Sequence, residues 1–195
     1  MRTVLAFLFA ILSACASGRS GYDYRKEPDP RRSEYVIGVA DRLSVLVWKN
    51  PELSREVTVR PDGTITVPLV GDIAAEGLTP SALKDEISRQ LARYVRDEGA
   101  VVTVVVAEVN SYSFTVMGNV EKPGVFTAKK YMTVLEAIQL AGGPSRFAST
   151  SDMKLIRTDR KGKQRTIPIN YPAVLDGSQP EANLALLAGD QLYVP

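Results

Sequence analysis

The chain contains no histidine and a single cysteine among its 195 residues. Those absences remove most catalytic constellations. A Ser-His-Asp triad or a Cys-His pair is impossible. A zinc site built from Cys and His is excluded. No metal and no cofactor is expected. An excess of one charge sign is missing too: 24 basic residues face 22 acidic ones, a formal charge of +2. That balance leaves no basic footprint, so no nucleic-acid partner is expected. Long hydrophobic runs are scarce. The apolar run Val4 to Leu12 is too short to cross a bilayer, which takes about 20 residues. What remains, 45% hydrophobic and 24% charged residues, describes an ordinary globular protein with room for one domain or two small ones.

Met1 to Ala14 reads MRTVLAFLFAILSA. Arg2 supplies a positive n-region ahead of a short apolar stretch, the pattern of a secretory signal peptide over 1–14. Leu12-Ser13-Ala14-Cys15 resembles a bacterial lipobox. The resemblance implies that the Cys15 thiol is lipidated and becomes the new N-terminus. Each buried CH₂ of an acyl chain adds about 0.8 kcal/mol to membrane attachment. Ala16, not Asp, follows the cysteine, which resembles the pattern sorted to the outer membrane. A cysteine used this way also leaves no internal disulfide. Residues 15–32 are rich in Gly, Ser, Arg, Asp and Pro without apolar periodicity. They read as a flexible tether, with Tyr22 and Tyr24 exposed.

The next segment, 33–110, centres on Val57 to Gly71, VTVRPDGTITVPLVG. Val57 and Val59, then Ile65, Val67 and Leu69, alternate with polar residues, as strands with one buried face do. Arg60-Pro61-Asp62-Gly63-Thr64 between them is a turn signal and predicts a hairpin. Leu43 to Trp48 is apolar on both faces and predicts a well-buried strand. Trp48 reads as a core or interface filler; the other reading is a sugar platform. Thr79 and Pro80 open a helix as N-cap and first residue. Leu83, Ile87, Leu91 and Tyr94 share one face, and Gly99 closes the region. Val101 to Val109 is a strand. Asp41 and Asp62 could in principle form an acid/base pair, but both sit in turns that use Asp for local hydrogen bonds.

The last segment, 112–195, begins with strands Phe114–Gly118 and Val125–Thr127. Pro123-Gly124 between them is in type II order. Thr133 and Glu136 form a capping box for a helix whose apolar face is Val134, Ala137, Ile138 and Ala141. Gly142-Gly143-Pro144 ends that helix. Met153–Thr158 and Arg165–Ile169 are strands around a charged turn, Asp159 to Arg165, read as a solvated loop or as a polymer- or partner-binding loop. Gly189-Asp190 turns into the final strand. Two domains of about 80 residues each are small for independent cores, so they are expected to pack on each other or on neighbouring subunits.

The motifs Tyr35-Val36-Ile37-Gly38, Asp41-Arg42-Leu43, Val47-Trp48, Pro51-Glu52-Leu53, Arg60-Pro61-Asp62-Gly63-Thr64-Ile65 and Pro68-Leu69-Val70-Gly71 resemble the polysaccharide export domain of the Wza-like outer-membrane polysaccharide export lipoproteins. Gly38-Val39-Ala40-Asp41 departs from the family's Gly-Pro-Gly-Asp. Val116-Met117-Gly118, Lys122-Pro123-Gly124, Ala141-Gly142-Gly143 and Gly189-Asp190 resemble an SLBB (soluble-ligand-binding β-grasp) domain. The resemblance implies an α+β fold: an export domain with a mixed sheet and one main helix, then a β-grasp-like SLBB domain. It implies that Gly38, Asp41, Trp48, Arg60, Pro61, Asp62, Gly63, Pro68 and Gly71 carry structure in the first. Gly118, Pro123, Gly124, Gly142, Gly143, Gly189 and Asp190 do so in the second.

The implied function is non-enzymatic: a lipid-anchored, periplasm-facing outer-membrane component of capsular or exopolysaccharide export. The implied partners are a homo-oligomeric ring, the polysaccharide chain and an inner-membrane polysaccharide co-polymerase/tyrosine kinase. No amphipathic helix follows the last strand, so a short form of the family is expected, with a separate outer-membrane β-barrel porin as a further partner. The alternatives are a periplasmic glycan- or cell-wall-binding lipoprotein without transport and, more remotely, a polysaccharide-active enzyme.

Overall fold

Alternating apolar residues build two separate cores in the computed structural model, which describes residues 21–95, 101–159 and 161–195. The expected signal segment, Cys15, Gly99 and Arg160 lie outside the described residues. In the first module β1 (Arg42–Val47) is the central strand of an antiparallel sheet, between β2 (Arg55–Thr58) and β5 (Val102–Glu108). β3 (Thr64–Val67) and β4 (Gly71–Ala74) form a separate hairpin. Helix α1 (Pro80–Leu91) starts on Thr79, whose hydroxyl accepts from the Ala82 N–H. It buries Leu83, Ile87 and Leu91 in a core with Leu43, Val45, Val47, Ile65 and Ile73.

The second module is one mixed sheet in the order β7 (Gly124–Thr127), β6 (Ser113–Gly118), β10 (Gln191–Val194), β8 (Met153–Thr158), β9 (Gln164–Ile169). β6 and β10 run parallel at its centre, and every other pair is antiparallel. Helix α2 (Val134–Leu140) carries the expected capping box and sets Val134, Ala137 and Ile138 into the core. A short α3 (Tyr171–Leu175) follows β9. With two sheet-based modules and few helices, the fold is α+β, as expected.

Several local expectations need correction. The chain around Arg60–Thr64 turns tightly, with the Gly63 N–H on the Arg60 carbonyl, but β2 and β3 then part. β2 joins β1, while β3 pairs with β4, a strand hidden in the polar-looking Asp72-Ile73-Ala74. Leu69 lies in the β3–β4 turn, exposed and at φ 66°. β1 is not buried on both faces. Its outer face leaves Leu46 48% exposed, and Trp48 just beyond it is 68% exposed, so Trp48 fills no core. The reason is layering: the helix covers one side of this sheet only. Tyr94 follows the helix and is exposed. Gly124 does not take the positive φ of a type II turn, since it already belongs to β7, opposite Val116.

The largest correction concerns residues 21–32. They are not a free tether. Short 3-10 turns at Tyr24–Lys26 and Pro30–Arg32 lay them along the second module as a strap. Tyr24 is 4% exposed within that module's core, and its hydroxyl donates to the Pro168 carbonyl at 2.7 Å. Glu27 is buried and takes Arg157 Nη1 at 2.9 Å and Arg165 Nη2 at 2.8 Å. Arg165 is therefore not simply part of a solvated turn.

Arg157 is the reason the strap is ordered. It follows Met153 and Leu155 on the inward face of β8 and is 1% exposed. A buried guanidinium needs compensation on every side. Asp190 supplies a two-point contact, with Nη2 to Oδ2 at 2.6 Å and Nε to Oδ1 at 3.0 Å. The Ala185 carbonyl and Glu27 complete the set. Removing one member of such a cluster strands a charge. Arg157→Ala should therefore cost about 3–5 kcal/mol, read as a lowered urea midpoint of the second module. A hydrophobic swap of Glu27, Arg157 and Asp190 together should cost much less.

Candidate functional site

The two modules meet at a turn that the sequence marks with Gly38 and Asp41. Asp41 is 0% exposed. Its carboxylate accepts from the N–H groups of Gly38 at 2.9 Å, Asn110 at 2.8 Å and Ser111 at 2.8 Å. The hydroxyls of Tyr35, at 2.7 Å, and Ser111, at 2.9 Å, also donate to it. One side chain thus holds the entry to β1 against the 109–112 linker between the modules. Burial alone would push this carboxyl up. The Tyr35 hydroxyl and the three backbone donors outweigh burial and hold it below the usual carboxylate range. Burial and then the Asp41 carboxylate push the Tyr35 phenol well up.

The turn geometry explains two residues. A Cβ on Gly38 would sit 2.5 Å from Ser111 Cβ, so close approach demands glycine there. Ala40, where the family pattern has its second glycine, adopts φ 71°. The turn is kept despite the substitution, at the cost of a left-handed alanine.

Beside this hub lies a cleft of about 580 Å³ between the modules, lined by Tyr35, Val36, Ile37, Glu76, Ser111, Tyr112 and Tyr131 among others. Tyr131 packs edge-on to Tyr112 at 5.2 Å and lies 6.3 Å from Tyr35. The Tyr112 hydroxyl donates to the Leu186 carbonyl and accepts from the Met132 N–H. Aromatic rings from both modules therefore make one seam, as expected for two small cores that pack on each other.

The remaining marked residues fall into separate groups. Arg60 gathers Asp62, Thr64 and Asp72 at the hairpin tip, with Nη2 to Asp72 Oδ2 at 2.9 Å and to Asp62 Oδ2 at 3.0 Å. The Arg60 hydrogen bond, then Thr64, lowers the Asp62 carboxyl to about 2. Pro61 and Gly63 shape this turn, and the Gly63 carbonyl accepts from Ala75 and Glu76. Pro68 and Gly71 bracket the β3–β4 turn.

In the second module Gly118 ends β6 where a Cβ would lie 2.0 Å from the Val194 carbonyl oxygen. The loop through Pro123 to Gly124 clasps the end of α2: the Lys122 N–H donates to Ala141 and the Glu121 N–H to Gly143. Gly142 and Gly143 terminate α2. The Gly189 N–H donates to Ser113, and Asp190 belongs to the Arg157 cluster.

These groups are poor material for bond-making chemistry. Asp41 offers about four lone-pair positions, and five donors already crowd them. Asp62 is held by Arg60 and lies in the exposed turn, apart from buried Asp41. Among the described residues no group of three His, Cys, Asp or Glu is placed to hold a metal. Among them, too, no helix is long and apolar enough to cross a membrane. Sequence reasoning missed Glu27, Ser111, Tyr131 and Arg157, and held Tyr35 only as part of a motif, without its hydrogen bond to Asp41. For Arg157 a signal exists: a charge at an inward position of an alternating strand.

Comparison with known proteins matches residues 29–107 to the polysaccharide biosynthesis/export protein family and residues 113–168 to the SLBB domain. The chain is 33% identical over 188 residues to the EPS I polysaccharide export outer membrane protein EpsA of Ralstonia nicotianae, covering 84% of this chain and 48% of that protein. It is 33% identical over 125 residues to the exopolysaccharide production protein ExoF of Rhizobium meliloti, covering 58% of this chain and 29% of that one. The capsule polysaccharide export protein BexD of Haemophilus influenzae is 26% identical over 174 residues, with 80% and 42% covered. The chain spans just under half the length of EpsA and less of the others.

Two measurements probe the hub. Ala40→Gly should stabilise by up to about 1 kcal/mol, because relieving left-handed strain outweighs glycine's entropy. Gly38→Ala should destabilise by about 1–3 kcal/mol by overpacking against Ser111. Asp41 has a lowered folded value, so its contribution is complete above about pH 4 and drains away as pH falls through that lowered value. Asp41→Asn should cost about 2–3 kcal/mol at neutral pH and lose that acid-dependent slope in denaturation curves.

Proposed function

The chain belongs to the Wza-like family of bacterial polysaccharide export proteins, and from that premise we propose that it is a non-enzymatic component of a capsular or exopolysaccharide export machine. Its site of action in this reading is the periplasmic side of the outer membrane, held there by a lipid on Cys15. The observation that carries the reading is a pairing: an export module joined directly to an SLBB module, in a chain 84% of which aligns, at 33% identity, with a named export protein. The physical properties agree. The carboxylates of Glu27, Asp41, Asp62, Asp72 and Asp190 are spent on hydrogen bonds and ion pairs that lock shape, as conduit walls require.

The finer assembly belongs to the same proposal. It comprises a homo-oligomeric ring, an inner-membrane polysaccharide co-polymerase/tyrosine kinase that delivers the polysaccharide chain, and an outer-membrane β-barrel that receives it. A ring needs head-to-tail contacts that close. The outer face of β1 and β5, with Leu46, Trp48, Val101 and Val105 exposed, offers apolar surface for one side of such a contact.

Deletion of the gene should abolish extracellular polymer and leave polysaccharide in the periplasm, measured by fractionation and sugar analysis. Unchanged secretion would overturn the reading. Cys15→Ser should shift the protein from the membrane to the soluble periplasmic fraction.

A further inference from the structure

The sheet of the second module keeps one face open. Phe114, Val116, Leu155, Ile167, Leu192 and Val194 pack into the core with Val134 and Ile138 of α2. Their strand neighbours point the other way, and the register sets those in rows. One row crosses all five strands as Val125, Thr115, Gln191, Ile156 and Thr166. The next holds Met117, Tyr193, Lys154 and Pro168. Five strands make this face about 19 Å wide. Val125 is 71% exposed, and Tyr193, Lys154, Thr166 and Pro168 are exposed too.

Two features define the chemistry of the face. Its polar groups are unspent. Among the described residues, the side chains of Thr115, Thr166, Gln191 and Lys154 have no hydrogen-bond or ion-pair partner. Arg42, Arg60 and Arg157, by contrast, are each tied to carboxylates. Its charge also has one sign. Lys154 is the one charge in the two rows. The β8–β9 turn, which starts about 16 Å along the strand at Asp159, adds exposed Lys161 and Lys163. The Asp159 carboxylate accepts from their backbone N–H groups at 2.8 and 2.9 Å. The core of a protein–protein interface is apolar. Here a protein partner would have to desolvate Thr115, Gln191 and Lys154 near the middle of the face. A sugar chain has the matching make-up. Its hydroxyls bond to threonine and glutamine, its C–H ring faces lie on Tyr193, Met117 and Ile156, and a carboxylate meets lysine.

We propose that this open face binds the polymer and that the polymer it takes is acidic. Carboxylate-bearing sugar units sit at Lys154 and at the Lys161–Lys163 turn, and the ring faces between them lie on Tyr193 and Ile156. The proposal rests on the export reading for the class of its ligand and deepens it by naming the charge and the place.

The test titrates the full-length protein, purified in detergent, with a galacturonic acid hexasaccharide in a calorimeter. Maltohexaose and a glutamate hexapeptide serve as comparisons, one matching the sugar and the other the charge. Galacturonate is expected to bind at least severalfold tighter than either. Lys154→Glu should weaken its binding about tenfold or more, and Tyr193→Thr severalfold, with urea midpoints unchanged. Arg93→Glu, exposed in the first module, should leave binding as it is. Equal affinity for the glutamate peptide would mean that charge alone is read, and would overturn the proposal. So would absence of binding at millimolar galacturonate, or insensitivity to both face variants. Loss of self-association in sedimentation, with galacturonate binding intact, would give the face to a second copy and sink the proposal as well. None of these results touches the export reading, which stands or falls on secretion by the deletion strain.

Discussion

A carboxylate cut off from water must be surrounded by donors, and the junction of the two modules is built around one. Asp41 draws the Gly38 turn, the Tyr35 hydroxyl and the Asn110–Ser111 backbone to a single point. Without those donors its burial would be prohibitive, and without the carboxylate three backbone N–H groups would lose their partner. The tyrosine seam can form only because this point fixes the linker. The same logic recurs with opposite sign at Arg157, where Asp190 and Glu27 close the second module and bind the strap to it. Two buried clusters, one centred on a carboxylate between the modules and one on a guanidinium inside the second, thus hold together a chain whose individual cores are small.

The role proposed for this chain depends on rigidity. A wall along which a polymer is to pass must hold its form. Asp41 at the hub, Arg60, Asp62 and Asp72 at the hairpin tip and Glu27 in the strap are bonded to their neighbours. One part of the exposed apolar surface, Leu46, Trp48, Val101 and Val105, gathers on a sheet face that the helix does not cover.

Much of the fold was legible because its signals are local. The α2 capping box, the Thr79-Pro80 start of α1 and the double glycine after α2 each act within one turn of chain. The alternation in β8 and β10 needs only nearest neighbours. What failed depends on distance. Trp48 reads as a core residue until the layer order is known. β2 and β3 look like partners until their pairing with β1 and β4 is seen. Tyr24 and Glu27 sit in a polar, proline-containing stretch with no period, and their partners lie more than a hundred residues away. The polysaccharide export and SLBB motifs were readable as a resemblance, yet the composition marks neither the hub nor the strap as special.

The strap also imposes an order of assembly. Chains are made from the N-terminus, so residues 21–32 emerge early, but Asp190, which braces Arg157, comes almost last. Contacts spanning so much sequence are slow to form. The first module can settle early while the strap waits, and the second seals only when its final strand arrives. A newly made copy therefore passes through a stage in which its lead segment hangs loose, and docking of that segment marks completion of the molecule.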